Sequence, residues 1–187
     1  MSEAFWTIAE ASAALQSRDV SPVELVDACL KRVELLDPIL HSYVLTLPDQ
    51  ARRAAKTAEA EIAGGRRKGP LHGVPIALKD IYETAGIRTT GHSKIKLDHI
   101  PSADATTTRR LADAGAILLG KLATHEFAMG GPSFDLPFPP ARNPWNPAHF
   151  TGGSSRHGIP RFWGATLFLD ARRRAFYTLG GNRRHPT

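Results

Sequence analysis

The sequence predicts an α/β domain in which a mixed, largely covered sheet is flanked by helices. Two observations predict it. Between residues 21 and 122, amphipathic stretches with helical spacing alternate with brief apolar runs of strand length, the pattern of a sheet buried between helices. The chain has 187 residues, 42% of them hydrophobic, which suits one soluble domain with a real core. No internal repeat interrupts the pattern.

The first element is set by "SPVELVDACLKRVELLDP". Ser21 stands as N-cap, Pro22 at the first helical position and Glu24 in the capping-box place, and Leu25, Val26, Cys29, Leu30, Val33 and Leu36 recur at helical spacing. A second helix is expected over "PDQARRAAKTAEAEIAGG", alanine-rich with its charges outward and ending at Gly64-Gly65, a pair suited to a left-handed cap. "GVPIALKD" then reads as a short apolar strand, Val74 to Leu78, entered through a Gly-Val-Pro turn. "DATTTRRLADAGAILLGK" reads as a helix capped by Asp104, a stop at Gly115 and a buried strand from Ala116 to Leu119. "THEFAMGG" starts a further short helix.

Charge divides the chain in two. The net charge is +6, from 24 basic and 18 acidic residues. Seven of those arginines and only one acid, Asp170, lie in residues 156–187, so the tail carries the whole excess and residues 1–155 hold 17 of each sign. A basic isoelectric point confined to the tail argues against nucleic acid as a partner of the body. The expected units are therefore residues 1–155 and a divergent basic tail, residues 156–187. No apolar run approaches the length of a membrane span, and "MSEAFWTIAE" lacks a basic start followed by an apolar stretch, so a cytoplasmic address without membrane contact is expected. Cys29, the only cysteine, falls on a helical face where it packs, and one thiol cannot form an internal disulfide.

Chemistry concentrates at a few positions. Lys79 ends the apolar strand, where loss of hydration favours the neutral amine and would let it act as a base; the plain alternative is a lysine snorkelling to water. "TGGSS" offers flexible backbone and two hydroxyls, Ser154 and Ser155, for close approach to a ligand, although such a run also makes an ordinary turn. His125 and Glu126 lack the second histidine that a helical zinc signature requires, and His72, His92, His99 and His149 have no ligand spacing, so no metal site is expected.

Four segments, "GPLHGVPIALKDIYETAGIRTTGHSK", "DATTTRRLADAGAILLGKLATHEFAMG", "ARNPWNP" and "TGGSS", resemble the amidase signature family in order and spacing from about Ser21 to Ser155. The resemblance implies part of an α/β/α fold and hydrolysis of carboxylic amides by a Ser-cis-Ser-Lys triad, without cofactor or metal. It assigns Lys79 as base and Ser154 as the bridging cis-serine, with Ser155 beside it. Met129, Gly130 and Gly131 line an acyl pocket by the same analogy, though a short helix end packed in the core would explain them as well. A small-molecule amide is the implied substrate, and a homodimer is left open. Because the family also includes the glutamine-hydrolysing component of a tRNA-dependent amidotransferase, amide-nitrogen transfer is an alternative; a non-catalytic binding protein with a basic tail is another.

The family's nucleophile is a second serine about two dozen residues past the cis-serine, in a loop resembling Thr-Asp-x-Gly-Gly-Ser that also supplies the oxyanion hole. No serine follows Ser155 here, Asn182 follows the later pair Gly180-Gly181, and the surroundings of Thr178 do not supply the rest of the loop. Arg156, Phe162, Trp163 and Phe168 also replace the small residues expected next. The expectation is an out-of-family tail, from a change of reading frame or gene boundary after Ser155, and an inactive, truncated amidase. The alternative is a true divergent branch of the family.

Overall fold

The computed structural model describes residues 6–131 and 134–151 in full and the backbone of residues 167–170 and 175–178. Helix α1, Ile8–Ser17, opens the described chain under a capping box in which Thr7 and Glu10 satisfy each other's backbone N–H groups. Helix α2, Pro22–Leu40, has the expected start, with Ser21 accepting from the Glu24 N–H and Glu24 from the Ser21 N–H. It runs past Pro38, because the proline lies in the last turn, and His41 closes it in the left-handed region. The Asp37 carboxylate accepts the N–H groups of Ser42 and Tyr43 beyond that end.

Strand β1, Tyr43–Thr46, and helix α3, Pro48–Ala63, follow. The left-handed residue after α3 is Gly65, at φ +75°, while Gly64 keeps φ −80°. Strand β2 is Pro75–Lys79 and helix α4 is Thr106–Asp113. Contrary to expectation, Asp104 does not cap α4: Ala105 is the N-cap without a side-chain bond, and the Asp104 carboxylate accepts the Ala85 N–H at 2.7 Å. Strand β3, Ile117–Leu122, reaches three residues further than the apolar run suggests, since its last residues still pair with a neighbour on each side.

These strands form a mixed sheet of order β1-β3-β2, with β3 antiparallel to β1 and parallel to β2. Gly120 marks the tightest approach, where an added Cβ would stand 2.3 Å from the Leu45 carbonyl oxygen across the β1–β3 pair. One face of β3 presents Ile117 and Leu119 to a cluster of Val26, Cys29 and Leu30 from α2 and Ala51, Ala55 and Ala58 from α3. The other presents Leu118, which joins Ile76, Leu78, Tyr82 and Leu111 from α4. Small alanines on α3 let the helix axis come close to the sheet, and the opposite cluster closes the second layer.

Beyond β3 the pattern changes. "THEFAMGG" forms a single 3-10 turn, Glu126–Ala128, in place of the expected helix, because Phe127 and Ala128 both take positive φ. Strands β4, Arg142–Asn143, and β5, Asn146–Phe150, make an antiparallel hairpin. Strands β6, Leu167–Asp170, and β7, Ala175–Thr178, pair as a second hairpin within the basic tail.

Candidate active site

Lys79 is the last residue of β2, a strand buried along its whole length. Its carbonyl accepts the N–H groups of Ile81 at 2.7 Å and Tyr82 at 3.1 Å, so the strand stops in a turn there. Only 8% of Lys79 is exposed.

Asp80 extends the ladder by one bond, its N–H donating to the Leu122 carbonyl at 3.0 Å. Its carboxylate is fully buried. One oxygen accepts both the N–H and the hydroxyl of Thr90, and the other faces the Lys121 Nζ at 3.8 Å, a charge contact longer than a hydrogen bond. Lys121 is itself fully buried, and its ammonium donates to the Tyr82 carbonyl, to Thr89 Oγ1 at 2.8 Å and to Thr84 Oγ1 at 3.1 Å. Burial lowers the Lys121 pKa to about 8 against the opposing attraction of Asp80. Burial likewise raises Asp80, opposed by its bonds to Thr90 and the Lys121 charge. Sequence reading misses this pair; its one signal is a lysine inside "ILLGKL", one residue past a glycine on a strand with no water-facing side.

The same turn is tied to the segment expected to border an acyl group. The Gly91 N–H donates to the Asp80 carbonyl, and the Gly91 carbonyl accepts the Phe127 N–H, both at 2.8 Å. Ser93 Oγ donates to Glu126 Oε1 at 2.6 Å, so Glu126 serves a hydrogen bond between loops. His125 is buried, and the His92 ring bonds the Phe138 carbonyl at 3.2 Å and the Thr124 N–H at 3.4 Å. Phe127 at φ 47° and Ala128 at φ 61° follow; non-glycine residues there cost of order 1–3 kcal/mol and gather at ligand-binding segments. Met129 is 64% exposed and Gly130 and Gly131 are exposed too, so the alternative of a helix end packed into the core does not hold.

In "ARNPWNP", Asn143 and Asn146 turn the chain by accepting the N–H groups of Trp145 and Ala148. Thr151, buried and bonded through its N–H to the Ala141 carbonyl, is the last fully described residue before "GGSS". Ser154 and Ser155 lie outside the described residues, as do Gly180, Gly181 and Asn182; of Thr178 only the backbone is described. A groove of about 390 Å³ between α3 and α4 is lined by Glu61, Lys68, His72 and Leu111 among others, and Lys79, Met129 and Gly130 are not among its residues. Among the described residues no three His, Cys, Asp or Glu side chains gather as a metal site, and no helix is long and apolar enough to cross a membrane.

Residues 24–156 match the amidase family. The chain is 43% identical over 149 residues to a glutamyl-tRNA(Gln) amidotransferase subunit from Acidothermus cellulolyticus, covering 80% of this chain and 30% of that protein. The counterpart from Halorhodospira halophila is 46% identical, covering 80% and 31%. A solved native peptide amidase from Stenotrophomonas maltophilia superposes with a TM-score of 0.75 and 30% identity, over 86% of this chain and 35% of that one. The chain thus spans about 30% of the length of the curated relatives it matches, and the family match stops at residue 156, where the charge balance changes. On these matches, and on a mixed sheet with helices on both faces, the chain belongs to the amidase family.

Proposed function

We propose that residues 1–155 carry the base half of an amide-cleaving site and that residues 156–187 are a separate basic unit. In this reading Lys79 is the base, Ser154 passes a proton between it and a nucleophile, and Ser155, Met129 and Gly130 border the acyl part of a small carboxylic amide. The observation that carries it is the burial of Lys79 at the end of β2 in a chain of the amidase family. An ammonium deprived of water gives up its proton more readily, which is what a lysine base needs. The scheme calls on no metal and no cofactor, and it places the chemistry in the cytoplasm.

The same reading leaves a polypeptide of these 187 residues without turnover, since no serine follows Ser155 and the Asn182 carboxamide has no hydroxyl to activate. Benzamide and glutamine should remain unhydrolysed, and a fluorophosphonate probe should label no residue; a mapped label would reveal a nucleophile and overturn inactivity. A chimera tests the base directly. Residues 1–155 joined to the part of the Acidothermus cellulolyticus relative that follows the stretch it shares with this chain should cleave amides, and Lys79→Ala should abolish that cleavage. Turnover that survives Lys79→Ala would refute the assignment.

The names of the relatives favour a second use of the same chemistry, release of amide nitrogen for transfer to another acceptor. Preference of the chimera for glutamine over benzamide would select it. Binding through the basic tail alone would instead weaken steeply with salt.

A further inference from the structure

Lys79 and Asp80 are adjacent in sequence but project to opposite faces of the sheet, because side chains alternate along a strand and the ladder continues through the Asp80 N–H. A register shift between Ile76 and Leu78 breaks the alternation along β3, and beyond it Leu78 pairs with Lys121 and Lys79 with Leu122, so Leu78, Asp80 and Lys121 share one face and Lys79 projects from the other. Among the described residues the charged partner of the Asp80 carboxylate is Lys121, across 3.8 Å with neither side chain exposed to water.

An unneutralised carboxylate in that place would act on Lys79 through a medium of low dielectric and hold it as ammonium, the wrong state for a base. Resting on the reading of Lys79 as base, we infer that Lys121 is a positioning residue for it: Lys121 neutralises Asp80 from the far face of the sheet and so denies Lys79 an anion that would keep its proton in place. The cage of Tyr82, Thr84 and Thr89 oxygens fixes the Lys121 ammonium at that post. Glu83 and Asp104, from the loop before α4, also act on Lys121 through space. Thr90 orients the carboxylate through two bonds.

The arrangement makes a signed prediction that a purely structural clamp does not. In the full chain carrying 13C at the lysine ε-carbons, the Lys79 signal is assigned by its loss in Lys79→Arg and titrated by NMR. Lys121→Met uncovers Asp80 and should raise the Lys79 midpoint, tightening proton binding roughly tenfold. Asp80→Asn removes the anion and should lower the midpoint by a similar factor, and the double variant should return close to the parent. Shifts of the same sign in the two single variants, or none, would overturn the inference. Should Lys121→Met not fold, Asp80→Asn decides alone: an unmoved or raised midpoint refutes. A parent Lys79 that titrates like an ordinary exposed lysine, near roughly 10.4, would instead remove the base assignment on which the inference rests, before any variant is made.

Discussion

The end of the β2–β3 pair and the segment from Met129 to Phe150 lie close in sequence and are built by different means. At the strand ends two charges, Asp80 and Lys121, are wholly enclosed, and the bonds that hold them come from a carbonyl and three threonines. In the later segment Met129, Phe134, Trp145 and Phe150 are exposed by 64%, 74%, 72% and 49%, and the hairpin turns on local asparagine bonds. The Asp80–Lys121 pair is bonded by groups from the loop that follows β2. The second region turns on local bonds and exposes these four side chains, and it meets the core at Phe138, whose carbonyl and ring contact His92, and at the fully buried Ala141.

Five measurements would break or sharpen that contrast. Lys121→Ala should cost the most, about 3–5 kcal/mol in urea unfolding, because it strands a buried carboxylate. An Asp80→Leu, Lys121→Met pair should recover most of the loss, since an apolar replacement removes both desolvated charges; a double variant as weak as the single would mean the pair acts through shape alone. Gly120→Ala should follow at about 1–3 kcal/mol, as its Cβ meets backbone that cannot swing aside.

A pH effect comes next. The Lys121 pKa is about 8 in the folded chain against 10.5 for a free lysine, so between those values the unfolded chain holds more protons and stability rises with pH. The contribution is complete above the unfolded value and lost as pH falls through the folded one. Burial pushes the Cys29 thiol from 9.0 up to about 12, which gives the opposite slope above about pH 9. The net rise should therefore lie between about pH 8 and 9, at no more than about 1.4 kcal/mol per unit, and disappear when Lys121 is replaced. The smallest effect is expected for Trp145→Ala, within about 0.5 kcal/mol; a larger loss would show that the hairpin is coupled to the core.

Local signals in the sequence are legible where one residue type has one use. The Ser21, Pro22, Glu24 start of α2 and the stop at Gly115 can be read directly, since each satisfies a backbone need within a few residues. The matching Thr7–Glu10 box before α1 carries the same signal, yet without a long apolar stripe behind it the helix start goes unread. Strand β1 is hidden because its four residues carry no period of their own and are fixed by pairing with β3. Asp104 misleads because an aspartate before a helix has two competing uses, and here the Ala85 N–H 19 residues away takes it. At the candidate site the apolar run before Lys79 marks a strand-end lysine, which by position alone reads equally as one that snorkels to water; its proposed role comes from the family resemblance. Lys121 is not legible, because what makes a buried lysine tolerable, a carboxylate and three oxygens from a distant loop, comes together only once the chain has folded.

Cys29 has a use that follows from its seat between α2, α3 and the sheet. As the sole cysteine, 7% exposed and held as a thiol by its surroundings, it reacts with an alkylating reagent only when that layer parts. Its modification rate is therefore a clock for opening of the α2–α3 layer. The clock needs no added label and runs in the native chain without denaturant. It would time how often the layer on the face of the sheet opposite the Lys121–Asp80 pair comes away.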